Sequence, residues 1–393
     1  MSTVRLAIVS THPIQYNAPL FGALARSGTI LPRVFYTWSQ TARAAVTDVE
    51  FGRQIVWDIP LLEGYEYEFV ENVARRPGTD HFFGLRNPSL LRAITDWKPQ
   101  ALLVVTWNSW SHLRAMAHFK GRIPVLFRGD STLIDPRSRW RAALRRMALH
   151  LVYRNVDVAL AVGANNHDYF RWCGLSERQI VLAPHAVDTM RFGADDDVHR
   201  ARALAWRRDL SIPEDARVLL FAGKLIEKKA PELLLEAFLR SGADGHLVFV
   251  GDGRLEAELR ARAAGRSDVH FLPFQNQQAM PAVYRLGDVL VLPSRGPGET
   301  WGLAMNEALA CGCLLIASDR VGGARDVIRE GATGWTFPAG DCAQLASRIA
   351  TVLRCDAPVL AHMKARAKQE SDRWSITAAS TAIERAVLQA VAI

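Results

Sequence analysis

Two doubly wound α/β domains, each a parallel sheet covered by helices on both faces, are predicted on three observations. Short apolar runs, continuous rather than alternating, recur along the chain, and stretches of helical period separate them. Between an earlier and a later series of this kind, Pro184 to Pro213 shows no strand pattern and carries the acidic patch Asp195-Asp196-Asp197, so the interdomain linker is placed there. In the later series, strands run into glycine-rich loops. A strand buried on both faces has no polar side to show, so continuous runs point to parallel sheets with helices on either face.

In the earlier series the predicted strands are Val4–Val9, Leu31–Tyr36, Leu102–Val105, Val125–Phe127 and Val158–Val162, with helices at Leu20–Arg26, Ser89–Trp97, Ser111–Phe119 and Arg139–Tyr153. The later series is cleaner. Its strands are Val218–Ala222, Leu247–Val250, Val269–Leu272, Val289–Leu292, Leu314–Ala317 and Trp335–Phe337. Its helices are Pro231–Arg240, Arg254–Ala264, Gln277–Leu286, Leu303–Ala310 and Cys342–Leu353.

Composition narrows the class. A chain of 393 residues with 49% hydrophobic and 22% charged residues is long enough for two cores and has the balance of a globular protein. No apolar run approaches the ~20 residues of a membrane span, and Leu6-Ala7-Ile8-Val9 is too short for a signal-peptide core. Five scattered cysteines lack metal-ligand spacing, and Cys311-Gly312-Cys313 reads as small residues at a helix end. A reducing cytoplasm is the expected location.

The net charge of +8 implies attraction to anions. The excess concentrates in the 135–155 segment, where Arg137, Arg139, Arg141, Arg145, Arg146 and Arg154 are opposed only by Asp135. Trp140, Leu144, Met147, Ala148, Leu151 and Val152 recur there at helical spacing. Two readings stand. Either the apolar stripe packs on the core and the cations are solvated, or the segment is a peripheral contact with the inner face of an anionic membrane or with a lipid-pyrophosphate acceptor. No recognition motif accompanies the charge, so nucleic acid is not expected as a partner.

The most informative stretch is Pro293-Ser294-Arg295-Gly296-Pro297-Gly298-Glu299-Thr300-Trp301-Gly302-Leu303-Ala304-Met305-Asn306-Glu307. A strand enters a Gly/Pro-rich loop and a helix opens near Gly302, with Glu307 placed more than one turn inside it. Free N–H groups at a helix start suit a phosphate. Glu299 and Glu307 flank that position, and carboxylates accept hydrogen bonds from hydroxyls. Phosphate between two hydroxyl-binding acids describes a nucleotide-sugar site. The bland alternative is a dipole-pairing acid with an ordinary surface glutamate.

That stretch resembles the donor-site signature of the GT-B glycosyltransferases, specifically the retaining glycosyltransferase family 4. The resemblance runs from about Pro184 to Asp341 and includes Pro184-His185-Ala186-Val187-Asp188, Phe221-Ala222-Gly223-Lys224-Leu225, Lys229, Val250-Gly251-Asp252-Gly253 and Val321-Gly322-Gly323. It implies an α/β GT-B fold, two facing Rossmann-like doubly wound domains with a cleft between them. Residues 1–184 would form the acceptor-side domain and 185–371 the nucleotide-sugar donor domain, with 372–393 a helix crossing back to the first.

The resemblance also implies roles. Lys224 and Lys229 match a basic pair, usually Arg then Lys, that stabilises the departing diphosphate. Glu299 would bind donor-sugar hydroxyls and Glu307 the ribose. Backbone N–H groups around Thr300, Trp301, Gly302 and Leu303 would hold sugar and phosphates, Trp301 standing where Phe is usual. Gly251 and Asp252 would shape the cleft and Phe274 would lie near the base. Asp326 stands where relatives often have Glu, which leaves any role for it open.

The earlier half departs from the family. In place of a Gly-Gly loop after the first strand it has Thr11-His12-Pro13-Ile14-Gln15-Tyr16, so His12, Gln15 and Tyr16 are acceptor-side candidates. Arg128-Gly129-Asp130-Ser131 falls where relatives often place a histidine near the reacting carbon, which aligns Arg128 or Asp130 with that place and puts Asp130 among the catalytic candidates. No dedicated nucleophile is evident.

The implied activity is transfer of a hexose-type unit from a UDP- or GDP-sugar to a hydroxyl acceptor, in cell-surface polysaccharide, glycolipid or glycoconjugate biosynthesis. No cofactor is expected. No metal is expected either, because Asp195-Asp196-Asp197 follows no buried strand although it contains the Asp-x-Asp pattern of the other major glycosyltransferase fold. The alternatives are a nucleotide-sugar 2-epimerase of the same fold and a non-catalytic nucleotide-sugar-binding protein.

Overall fold

The computed structural model describes residues 3–39, 46–48, 53–135, 138–194 and 197–392. Arg137, Asp195 and Asp196 therefore lie outside the described residues. The chain divides into a first unit of Met1–Val46, Pro60–Ala186 and Ile376–Ile393, and a second of Thr47–Ile59 and Val187–Ser375.

The chain begins β1 (Val4–Ser10), α1 (Ala18–Arg26) and β2 (Ile30–Tyr36), followed by the short pair β3 (Val46–Asp48) and β4 (Arg53–Ile55). It continues β5 (Glu66–Phe69), α2 (Leu90–Trp97), β6 (Ala101–Val105), α3 (Trp110–Phe119), β7 (Val125–Arg128), α4 (Arg139–Tyr153), β8 (Val158–Ala161), α5 (Ala164–Trp172) and β9 (Ile180–Leu182). These strands form one parallel sheet in the order β5-β2-β1-β6-β7-β8-β9, with β1 against β2 from Val4↔Ile30 to Ser10↔Tyr36. Two apolar clusters cover its faces. One gathers Val9, Phe35, Val104, Phe127 and Tyr153, and the other gathers Leu6, Ile8, Phe21, Leu103 and Leu126. Ala379, Ile383, Ala386 and Val387 of the last helix complete the second cluster beside Leu20 and Leu24 of α1.

The second unit opens with α6 (Thr189–Gly193) and α7 (Asp197–Asp209), so the stretch expected as a linker carries two helices. Then follow β10 (Val218–Ala222), α8 (Pro231–Ser241), β11 (His246–Val250), α9 (Glu256–Arg262), β12 (Val269–Leu272), α10 (Met280–Leu286), β13 (Val289–Leu292), α11 (Ala304–Ala310), β14 (Leu314–Ser318), α12 (Ala324–Val327), β15 (Gly334–Phe337), α13 (Cys342–Leu353) and α14 (Ala357–Glu370). The final helix, α15 (Ile376–Val391), belongs to the first unit. The second sheet is also parallel, in the order β12-β11-β10-β13-β14-β15.

One charged knot ties this unit together. The Asp288 carboxylate, nearly buried, accepts the Val218 N–H at 2.9 Å and pairs with Lys364 at 2.9 Å and Arg207 at 3.8 Å. Arg207 in turn donates to the carbonyls of Pro213, Glu214, Ala216 and Leu286. A buried carboxylate is tolerated only when its charge and lone pairs are met in this way. The knot ties α7 and α14 to the sheet.

The core-facing reading of the Arg139–Tyr153 stripe is overturned. Trp140, Leu144, Met147 and Leu151 are 62, 55, 65 and 62% exposed. Helix α4 buries Leu149 and Tyr153 instead, the residues on its opposite side.

Candidate functional site

Each sheet reverses strand order at one place, between β1 and β6 in the first unit and between β10 and β13 in the second. At such a switch point the chains leaving the two adjacent strands turn to opposite faces, which opens a crevice beyond the strands' carboxyl ends. The donor-side residues named from sequence gather at the second of these. Gly223 and Lys224 follow β10 directly, and Lys229 ends the short 3-10 turn Glu227–Lys229. Glu299 follows β13. The Lys229 ammonium meets the Glu299 carboxylate at 2.5 Å, with side chains 22% and 9% exposed. Ser294, one turn of loop earlier, also donates to Glu299 at 3.2 Å.

The neighbouring loops are locked to one another. Gly223 N–H donates to Val250 at 3.0 Å and Leu225 N–H to Asp252 O at 3.0 Å. Asp252 Oδ1 accepts the Phe274 N–H at 2.8 Å, joining the chain ends after β11 and β12. A Cβ on Gly251 would lie 2.1 Å from the Gly223 carbonyl oxygen, so backbone approaches backbone where a side chain has no room.

The Glu299–Leu303 loop is held from below. Gly322 N–H donates to Glu299 O at 2.9 Å and Gly323 N–H to Trp301 O at 2.8 Å. The Trp301 ring is buried, donates through Nε1 to Asn306 at 3.0 Å, and lies 5.3 Å from the Trp374 ring. Its side chain is thus an anchor for the loop. Helix α11 starts at Ala304, which puts Glu307 in its first turn rather than more than one turn inside. The Glu307 carboxylate is 2% exposed and accepts the Tyr284 hydroxyl at 2.6 Å.

In the first unit, His12, Gln15 and Tyr16 lie in the turns between β1 and α1, at the other switch point. Burial pushes His12 down to about 4, and its Nδ1 has no hydrogen-bond partner among the described residues. The Arg128 guanidinium is buried and committed to the carbonyls of Ala183 at 2.6 Å and Pro184 at 2.8 Å. Burial lowers Arg128 to about 10 against the opposing pull of Asp130. Two further histidines lie in this unit, His185, which the resemblance includes without a role, and His112, which the sequence did not single out. His185 is held down to about 4 by burial and by Arg128, with Asp130 opposing. His112, fully buried, donates from Nδ1 to Thr106 O at 2.9 Å and accepts the Thr37 hydroxyl at Nε2. Thr106 follows β6 at φ 64, a left-handed backbone that the His112 bond helps to hold. A histidine inside an apolar helical pattern gives no signal of such a partner.

These three histidines give the first unit a pH dependence. Each has a folded value of about 4, below the ordinary 6.5, so the unfolded chain binds more protons in that window. The neutral-histidine contribution is complete above about pH 6.5 and is lost as pH falls toward 4. Urea midpoints should therefore fall between pH 7 and pH 5, before most carboxylates titrate. A flat profile over that range sinks this expectation.

Among the described residues, no group of three or more His, Cys, Asp or Glu side chains is placed to hold a metal ion. Asp197 opens α7 at the surface, 3.6 Å from Arg200. No helix of the described residues is long and apolar enough to cross a membrane.

Comparison with known proteins gives the class first. Residues 203–370 match the model of the family described as glycosyl transferases group 1. The D-inositol 3-phosphate glycosyltransferase of Geodermatophilus obscurus is 37% identical over 195 residues, 46% of this chain and 41% of that protein. The one from Mycolicibacterium paratuberculosis is 28% identical over 271 residues, 61% of this chain and 60% of its own. The chain thus spans about half the length of the curated relatives it matches. Two solved structures are similar over nearly the whole chain. Anabaena Alr3699/HepE in complex with UDP has a TM-score of 0.72 at 18% identity, covering 99% of this chain and 100% of that one. Sucrose-phosphate synthase from Thermosynechococcus elongatus has a TM-score of 0.70 at 19% identity, covering 99% of each. At such identities the likeness shows the fold, and the fold is GT-B.

Proposed function

We propose that this chain is a retaining glycosyltransferase of the family 4 type, moving a sugar from a nucleoside diphosphate sugar to an acceptor hydroxyl in the cytoplasm. The observation that carries the reading is the Lys229–Glu299 pair across the β10/β13 switch point. A cation and an acceptor-only carboxylate held side by side match a diphosphate and the hydroxyls of the sugar attached to it. In the reaction the bond from the anomeric carbon to the diphosphate oxygen breaks and its electron pair leaves with the diphosphate. The acceptor oxygen forms the new bond on the same face, and its proton leaves with the diphosphate. Lys224 and Lys229 stabilise the departing charge, and the acceptor-side candidates His12, Gln15, Tyr16 and Asp130 belong to the first unit. The names of relatives support this donor class: the Anabaena protein was solved with UDP.

The test is a thermal-shift panel of UDP, GDP, ADP and their sugar conjugates, followed by release of nucleoside diphosphate with candidate acceptors. A ligand at 100 times its Kd adds about 2.7 kcal/mol to the folded state. The two acids should then separate by ligand. Glu299→Ala weakens the intact donor and leaves the free nucleoside diphosphate nearly unchanged, whereas Glu307→Ala weakens both because the ribose is common to them. Calorimetric titration showing the reverse pattern refutes these roles. Stabilisation without turnover would favour a binding protein, and a changed sugar configuration without transfer would favour an epimerase.

A further inference from the structure

We infer that the solvent face of α4 is a docking surface for an anionic lipid bilayer, a property beyond the transfer reaction and independent of it. At 100° per residue, Trp140, Leu144, Met147 and Leu151 fall within about 60° of arc and run along about 16 Å of helix. All four are exposed, directly opposite Leu149, which is buried on the first unit's core. Soluble helices place their apolar stripe inward; this helix has one stripe in the core and a second, larger one in water.

Charge on the two edges of that stripe identifies its occupant. Arg139, Arg141 and Arg154 are exposed, and Arg139–Tyr153 contains no acidic residue. The Arg141 guanidinium lies 5.2 Å from the Trp140 ring centroid, and Arg146 donates to the Trp172 carbonyl at 3.0 Å. An apolar strip entering the acyl boundary, with guanidinium groups beside it at headgroup level, satisfies both halves of an anionic interface. A second copy of this chain docking through the same face would press two arginine rims together, which like-charge repulsion opposes. Arg145 does not serve the surface, because it turns inward over the Tyr169 ring at 5.8 Å.

The test uses the full chain and cosedimentation with mixed phosphatidylglycerol–phosphatidylcholine vesicles against pure phosphatidylcholine vesicles. The wild-type chain should partition onto the mixed vesicles roughly tenfold or more above the neutral ones, and added salt should weaken this. The variant Leu144→Ser/Met147→Ser/Leu151→Ser should lose roughly tenfold or more of that partition. The variant Arg139→Gln/Arg141→Gln/Arg154→Gln should lose the preference for anionic lipid. Both change exposed positions, so their melting temperatures and their responses to nucleotides should match wild type, which separates lost docking from lost fold. A wild-type chain that stays in the supernatant overturns the proposal, as does a serine variant that still binds. A serine variant that dissociates an oligomer while vesicle partition is unchanged would assign the face to a second copy and overturn it too.

Discussion

Replacing Lys229 with Ala should lower turnover by about 10²–10³-fold, the scale of one lost donor to developing charge in a transition state. Lys224→Ala should act in the same range. The negative charge on the leaving diphosphate grows during the reaction, so the loss should appear mainly in kcat rather than in donor affinity. The structure adds a complication that the experiment must carry. Lys229 is also the counter-charge of Glu299, whose side chain is only 9% exposed. Removing Lys229 strands that carboxylate, and breaking a largely buried pair costs about 3 kcal/mol. The double variant Lys229→Ala/Glu299→Ala separates the two effects. It should regain most of the lost stability, measured by urea unfolding, and none of the lost turnover. Near-wild-type turnover in both single lysine variants would remove these residues from the chemistry. Recovery of turnover in the double variant would reduce Lys229 to a structural partner of Glu299.

Legibility from sequence followed burial. The strands β1, β6, β10, β11, β13 and β14 were readable because both of their faces are covered, so that runs such as Val218-Leu219-Leu220-Phe221-Ala222 carry no polar interruption. The edge strand Glu66-Tyr67-Glu68-Phe69 went unread because a half-exposed edge alternates charge with aromatics and resembles a loop. Helix α5, with the sequence Ala-Asn-Asn-His-Asp-Tyr-Phe-Arg-Trp, went unread because few of its residues are apolar. The boundary between the units, at Ala186/Val187, falls within the stretch read as the linker, but the helices there went unread for one residue type. Arg207 is buried by its bonds to four carbonyls, and a buried arginine has the same letter as a solvated one. Helix α4 shows a different limit. Its period was plain, but periodicity fixes which residues share a face and leaves open whether that face meets core or water. The basic residues near β10 and the acids after β13 were legible as motifs, and the fold explains their pairing through the strand order. What no local pattern carries is a close approach between distant segments, and Gly322 depends on one.

Gly322→Ala should be the most damaging single methyl group in the second unit. The added Cβ would lie 1.8 Å from the Thr300 carbonyl oxygen and 3.3 Å from that of Glu299. Both obstacles are backbone, so no rotamer change relieves them, and the Glu299–Leu303 loop has to move. Its two bonds from Gly322 and Gly323 would be lost or stretched, and Glu299 would shift away from Lys229. Overpacking of this kind costs about 3 kcal/mol, the upper part of the usual range. The loss should be functional as well as structural, since the same loop presents Glu299 and leads into α11. A 100-fold fall in donor affinity would erase most of the roughly 2.7 kcal/mol that saturating ligand adds. The control is Gly331→Ala, at a left-handed position, φ 70, with nothing within 4 Å of the added Cβ. That change should cost about 1–2 kcal/mol of backbone strain and leave the nucleotide response intact. If Gly322→Ala melts no lower than Gly331→Ala and responds to nucleotide as wild type does, the loop is not positioned by this contact and the donor site is not built as described.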